Sequence, residues 1–357
     1  MNSVTATPRS VTVRAPAKVN CELRVGPLGD DGFHQLSTVF MAVGLYDEVT
    51  VTRSDRWSVT TTGPYAAHVP DGDDNLALRA ARLMARHMRV TRSIVSIRID
   101  KAIPVAGGMA GGSADAAAVL VACDHLWGLR MDREELLNIA AELGSDVPFC
   151  LAGGIAIGSG RGERLAPVLA RGTYHWVFAL SSEGLSTPSV FAEFDRLTAG
   201  SRVPQPEPSP AMMTALRSGD PEALGEALIN DLQEPALSLR PGLRAVLDAG
   251  MEFGALGGIV SGSGPTVAFL TGSSEHAIDL CVALTASGVV EHVTRAKGPV
   301  HGAKVRSGAP SSSRIRRTSS CASRSWICRV LPRRLARSMC QRNASCCAGC
   351  PSGPVRK

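Results

Sequence analysis

The chain has 357 residues, 44% of them apolar and 20% charged, with a formal net charge of +6. That length allows two domains and a sizeable core, and no stretch approaches the roughly 18 consecutive apolar residues of a membrane span. The first ten residues, MNSVTATPRS, lack the apolar core of a secretory signal, so the expected location is the cytoplasm. The charge is unevenly spread. Between residues 306 and 357 stand twelve Lys or Arg and no acid; with those twelve cations removed, residues 1–305 are left at −6. Six of the ten cysteines also lie in that tail, while Cys21, Cys123, Cys150 and Cys281 sit singly among apolar neighbours, as reduced buried thiols do.

In chain order, Val11 and Val13 alternate, and beyond Pro16 so do Val19, Cys21, Leu23 and Val25. Strands are predicted there, with Lys18, Asn20 and Glu22 sharing the opposite face. GPLGDDGFH (26–34) is a turn-rich loop, and DEVTVTR and RWSVTTT read as further strands. Leu76, Ala80, Leu83 and His87 predict a helix over 75–88, and IVSIRID (94–100) a strand that ends just before PVAGGMAGGSADAAA (104–118). Ala116, Leu120, Cys123 and Trp127 then mark one face of a helix, with Ser113 as its expected cap. REELLNIAAELG (133–144) is a helix with a glycine stop, and SRVPQPEPSP (201–210) a proline-rich linker or surface loop. Helices are predicted over 221–232, 242–252 and 275–287, and strands through Val267 and Phe269 and over 289–295. Past Lys304 the periodicity stops, and the tail is expected to be a disordered appendage from a shifted frame or read-through. Its CQRNASCCAGC has four thiols but neither histidine nor paired CxxC, which argues against a metal site.

The glycines of 104–118 let backbone N–H groups approach a ligand, and a helix starting beside them adds its positive dipole end: together a cradle for phosphate. No Gly-Lys-Ser/Thr closes the loop, so it is not a Walker A sequence, and the acidic ribose-binding residue of a dinucleotide fold is not evident. A nucleoside triphosphate held by backbone amides fits, with Ser113 available to a phosphate or to Mg²⁺. Asp115 is read as a charge complementing the helix dipole.

PVAGGMAGGSADAAA resembles the phosphate loop of the kinases that include galactokinase, homoserine kinase, mevalonate kinase and phosphomevalonate kinase, the GHMP family. APAKVNCEL (15–23) and SGSGPTVAFL (261–270) resemble its other two motifs, in the right order. The resemblance implies an α/β (α+β) fold of two domains with the active site in the cleft between them, here 1–165 and 166–305, followed by the tail 306–357. Within the family, PAKVN, DDGFHQLSTVF (30–40), LGSDVPF (143–149) and TPSVF (187–191) are similar to the branch that phosphorylates a cytidine diphosphate-linked methylerythritol at its C2 hydroxyl.

By that resemblance Asp146 is the catalytic aspartate and Lys18 the lysine beside it. ATP is expected on Pro104, Val105, Ala106, Gly107, Gly108, Met109, Ala110, Gly111, Gly112, Ser113 and Ala114, with Asn75 and Lys101 on the adenine side. Ala114 stands where a serine is common, which removes one side-chain phosphate contact. The acceptor is expected on Asn20, Phe33, His34, Thr187 and Phe191, with His34 hydrogen-bonding cytosine and the two phenylalanines sandwiching it. Phe33 replaces a common tyrosine, which keeps the stacking and loses a hydroxyl. Thr266, Gly262 and Gly264 belong to the closing third motif. The implied cosubstrate and ion are ATP and Mg²⁺; the partner is a small molecule, with no nucleic acid and no membrane, in a monomer or weak homodimer. Homoserine or mevalonate as acceptor is the competing expectation within the family, and a non-catalytic nucleotide- or nucleic-acid-binding protein the one outside it.

Overall fold

The computed structural model describes residues 9–306 except Ser182. In chain order the first half contains β1 (Ser10–Leu28), β2 (His34–Arg53), β3 (Ser58–Thr62), α1 (Leu76–His87), β4 (Val95–Asp100), α2 (Gly111–Trp127), α3 (Arg133–Leu143), α4 (Val147–Ala152), β5 (Ile155–Gly160) and β6 (Arg164–Pro167). The second contains β7 (Tyr174–Leu180), α5 (Thr187–Thr198), α6 (Pro210–Ser218), α7 (Pro221–Ala227), β8 (Ile229–Asn230), α8 (Gln233–Leu239), α9 (Gly242–Glu252), β9 (Gly257–Val260), β10 (Val267–Thr271), α10 (Ser274–Ser287), β11 (His292–Gly298) and β12 (Lys304–Val305). None of these helices is long and apolar enough to cross a membrane. Arg306 apart, the tail lies outside the described residues.

Among the described residues one sheet has eight strands. Its path is β12-β1-β2-β4-β3, with β5 also on β2, β6 on β5 and β8 on β1. β1 and β2 form its long antiparallel spine. Proline does not break β1 in two as its position suggests. The ladder instead shifts register between Pro16 and Ala17, and again between Asn20 and Glu22, where a bulge absorbs the irregularity. The second shift breaks the predicted alternation: Val19 and Cys21 join one core and Leu23 and Val25 another, and Glu22 leaves the face of Lys18 and Asn20, though all three polar side chains are buried. α2 covers the apolar side; its buried run of alanines allows close approach to the sheet. Glu22 is covered by chain from elsewhere: Ser209 donates to it through both its N–H and its hydroxyl.

The second sheet, β11-β7-β10-β9, is antiparallel, and its inner strands β7 and β10 are buried on both faces. Along β7, Tyr174, Trp176, Phe178 and Leu180 join the core shared with the first sheet, while Val177 and Ala179 join a second core with Phe194, Leu247 and Leu280.

Two further sequence expectations change here. The helix predicted over 221–232 is interrupted by β8, because Ile229 and Asn230 pair with Glu22 and Leu23 of β1. The proline-rich stretch ends by starting α6, whose Ser209 side chain caps Met212 N with proline in the first turn.

Candidate active site

The loop between β4 and α2 is held from both sides. Lys18 N donates to Met109 O at 3.2 Å, tying the loop to β1. Ser261 Oγ donates to Gly108 O at 3.1 Å, tying it to the third motif. Gly108 has φ 76°, and a Cβ there would stand 1.9 Å from Ser261 O, so only glycine fits. A Cβ on Gly262 would come within 3.1 Å of Lys18 Nζ and 3.2 Å of Asn20 Oδ1. The three motifs, far apart in sequence, therefore meet at one place.

The loop is not shaped by glycine alone. Ala106 and Ala110 also take left-handed φ values, of 52° and 60°, a costly conformation for alanine that the packed surroundings impose. Ala110, not Ser113, immediately precedes α2, and no side chain caps the helix. Its first N–H groups are thus left without a capping side chain, as an anion-binding helix start requires. Ser113 is half-buried within the first turn.

Two side chains expected to serve nucleotide or dipole are paired with each other. Lys101, only 1% exposed, is enclosed by Asp47 at 2.5 Å and Asp115 at 2.6 Å. Asp115 is therefore an ion-pair partner inside the core rather than a dipole charge, and Lys101 is fixed between two carboxylates. Burial by itself would lower the Lys101 pKa, but the two carboxylates outweigh it and hold the ammonium above its ordinary value. Burial pushes the Asp115 carboxyl up, against the pull of Lys101. Asp47 also accepts from Ala102 N and Ile103 N at 2.7 and 2.8 Å, which fixes the chain entering the phosphate loop. Asn75, the other adenine-side expectation, caps α1: its Oδ1 accepts from Ala77 N and Leu78 N while its amide donates to Pro70 O.

At the expected catalytic pair, Lys18 Nζ lies 3.7 Å from Asp146 Oδ2. The lysine is 4% exposed, whereas the aspartate side chain is 33% exposed and makes no capping bond to α4. One end of the pair is fixed and the other is open. Lys18 donates to Asn20 Oδ1 at 2.5 Å, Asn20 Nδ2 to Thr38 Oγ1 at 2.8 Å, and Thr38 Oγ1 to Glu22 O at 2.7 Å. Phe40 lies beneath the ammonium, 5.7 Å from ring centroid to Nζ. Cys150, within α4, is no rival nucleophile: burial, with Asp146 adding to it, pushes its thiol up.

The expected base-binding residues lie at the far end of β1 and β2. His34 Nδ1 is 2.8 Å from Gly26 O. A carbonyl only accepts, so Nδ1 carries the proton. Asp195 Oδ1 is 3.2 Å from Nε2 but off line, and that nitrogen makes no hydrogen bond. The His34 ring stacks on Phe191 at 5.4 Å, and Phe33, 51% exposed, lies under the Arg161 guanidinium at 5.0 Å. The two rings expected to sandwich one base are each in contact with another side chain here. Thr187 Oγ1 meets Ser263 Oγ at 2.8 Å, joining the start of α5 to the third motif.

Sequence reasoning missed Asn230. Its amide donates to Val260 O at 2.8 Å and Gly262 O at 2.7 Å, and so sets the third motif over Lys18. The sole signal was an Asn-Asp pair interrupting an apolar run.

The class of this molecule is that of the GHMP kinases: the model for the GHMP kinases N terminal domain matches residues 75–154 and the model for the GHMP kinases C terminal region matches 212–290. The 4-diphosphocytidyl-2-C-methyl-D-erythritol kinase of Clavibacter michiganensis subsp. michiganensis is 51% identical over 317 residues, covering 86% of this chain and 100% of that protein. The kinase of the same name from Mycolicibacterium smegmatis is 57% identical over 301 residues, covering 83% and 92%. A crystal structure of a 4-(cytidine 5'-diphospho)-2C-methyl-D-erythritol kinase aligns with TM-score 0.64 at 33% identity, over 80% of this chain and 98% of that one. The chain belongs to the 4-diphosphocytidyl-2-C-methyl-D-erythritol kinase family within the GHMP kinases.

Proposed function

We propose that the chain transfers the γ-phosphoryl group of ATP to the C2 hydroxyl of 4-diphosphocytidyl-2-C-methyl-D-erythritol, giving the 2-phosphate and ADP, in non-mevalonate isoprenoid precursor synthesis. The observation that carries this reading is the meeting of Lys18 and Asp146 with the phosphate loop and the third motif.

In the reaction, the acceptor oxygen attacks the γ-phosphorus, the bond to the β–γ bridging oxygen breaks, and the hydroxyl proton passes to Asp146. Phosphoryl transfer runs through a loose transition state, so orientation and charge matter more than a strong base. The half-buried carboxylate of Asp146 orients the hydroxyl, and Lys18, held by Asn20, pairs with that carboxylate and offsets charge on the transferred group. Asn20 adds an acceptor contact.

ATP lies along residues 104–114, its phosphates facing the backbone N–H groups of the loop and the uncapped start of α2. Among the described residues no cluster of three His, Cys, Asp or Glu could hold a metal. Mg²⁺ is accordingly read as arriving on the triphosphate, with the Ser113 hydroxyl as the protein donor; bound there, it would neutralise phosphate charge.

At the other end, His34 donates from Nδ1 to Gly26 O, which leaves Nε2 as the ring nitrogen for the edge of cytosine. Phe191 and Phe33 supply ring faces, and Thr187 a hydroxyl. The half up to residue 165 supplies Lys18, the phosphate loop and Asp146; the half from 166 supplies Thr187, Phe191 and the closing motif. All come from one chain, so a monomer suffices.

An ADP-release assay with the cytidine-linked acceptor, mevalonate and homoserine tests the reading. Turnover with the first alone is expected. A comparable kcat/KM with either of the others would remove the base pocket from the account.

A further inference from the structure

An acceptor whose base and sugar alcohol are joined by a diphosphate brings negative charge into a neighbourhood already rich in acids. Asp31 accepts from Phe33 N, Asp195 flanks His34, and Asp146 stands at the catalytic end. The nearby cations are mostly committed: Lys18 to Asn20 and Asp146, Arg164 to Glu163, and Arg196 to Glu193.

Arg161 differs. It is exposed on the turn between β5 and β6, with its guanidinium over Phe33, and among the described residues it has no carboxylate in ion-pair distance. The next residue faces the other way. A Cβ on Gly162 would lie 3.6 Å from Phe40 Cζ and 4.0 Å from Ser145 Cβ, beside the Phe40 ring under Lys18 and next in sequence to Asp146. One turn therefore touches the base end through Arg161 and the catalytic end through Gly162. The linking diphosphate has to cross that interval.

We infer that Arg161 binds the diphosphate between base and acceptor alcohol and so helps select the substrate. The inference rests on the cytidine diphosphate-linked acceptor proposed above. A guanidinium resting over a ring keeps N–H donors at its edge, where the fork suits phosphate oxygens and a lysine would match it only in charge. Arg161 is a specificity residue in this account and takes no part in the proton transfer.

Calorimetric titration of the intact chain, saturated with a non-hydrolysable ATP analogue so that the ATP site is filled, separates this from a role in merely holding Phe33. The probes are CDP, UDP and cytidine. Wild type should bind CDP more tightly than cytidine. Arg161→Ala should weaken CDP about tenfold, as expected for a charged hydrogen bond, and leave cytidine within about twofold. Arg161→Lys should recover part of the loss. In turnover, Arg161→Ala should raise the acceptor KM by the same factor with kcat and the ATP KM nearly unchanged. Equal weakening of CDP and cytidine, or no change in either, overturns the diphosphate contact. Equal binding of CDP and UDP by wild type would instead overturn the cytosine reading, while the CDP-to-cytidine comparison still decides the role of Arg161.

Discussion

The catalytic end and the base end of the site are built in opposite ways. Lys18 lies in a buried strand, and every link behind it, through Asn20 and Thr38 to the Glu22 carbonyl, is a hydrogen bond between buried groups. Phe33 stands exposed after a turn-rich loop, and Phe191 in the first turns of α5, where Ser186 makes the cap. The difference teaches where each demand is met. Groups that must hold one geometry through bond transfer are placed where neighbours over-determine them. Groups that must admit and release a nucleotide-sized acceptor are placed at exposed loops and helix ends.

That contrast can be broken at either end. The largest effect is expected from Asp146→Asn, which removes the proton acceptor while keeping its shape: kcat should fall by about 10²–10⁴ with KM values and melting temperature nearly unchanged. Steady-state kinetics beside a thermal melt decide it, and near-wild-type turnover would remove Asp146 from the chemistry.

Next comes Lys101→Met, which leaves Asp47 and Asp115 buried without their cation. A loss of about 3–5 kcal/mol in urea unfolding is expected, as for other broken buried ion pairs. Adding Asp115→Asn should return part of that loss by removing one of the stranded charges. A stable Lys101→Met with a raised ATP KM would favour the adenine-side reading over a structural ion pair.

Phe191→Ala should cost roughly 1–3 kcal/mol of acceptor binding, the range of one base stack, seen as a raised acceptor KM with the ATP KM unchanged. A rise in the ATP KM instead would put the ring in the other pocket. The smallest effect belongs to Asn75→Ala: about 1 kcal/mol of stability lost with the helix cap, and no change in ATP binding.

What was legible in the sequence follows the same division. The strand alternation through Lys18 and Asn20, and the glycine loop running into a helix, are local patterns and are found as expected, whereas the bulge that turns Glu22 to the other face left no local mark. The fold class followed from three ordered motifs. What stayed hidden depends on partners distant in sequence. Lys101 looks like a free cation until β2 brings Asp47 to it from 54 positions away. Asn230 looks helical until β1 pairs with it and the third motif needs its amide. Ser113 looks like a cap because serine caps helices, but the left-handed Ala110 begins α2 instead. Arg161 carried no motif at all. Its place beside Phe33 exists only once the β5–β6 turn folds back over β2.

The central claim is that one end of the site sets the rate and the other the acceptor affinity. The most direct measurement is a double-mutant cycle on acceptor kcat/KM with Asp146→Asn, Phe191→Ala and the pair. Independent ends predict that the two losses add within about 0.5 kcal/mol, with the Asp146 loss in kcat and the Phe191 loss in KM. A coupling of 1 kcal/mol or more on the same scale, or a Phe191→Ala loss that falls in kcat, would contradict it.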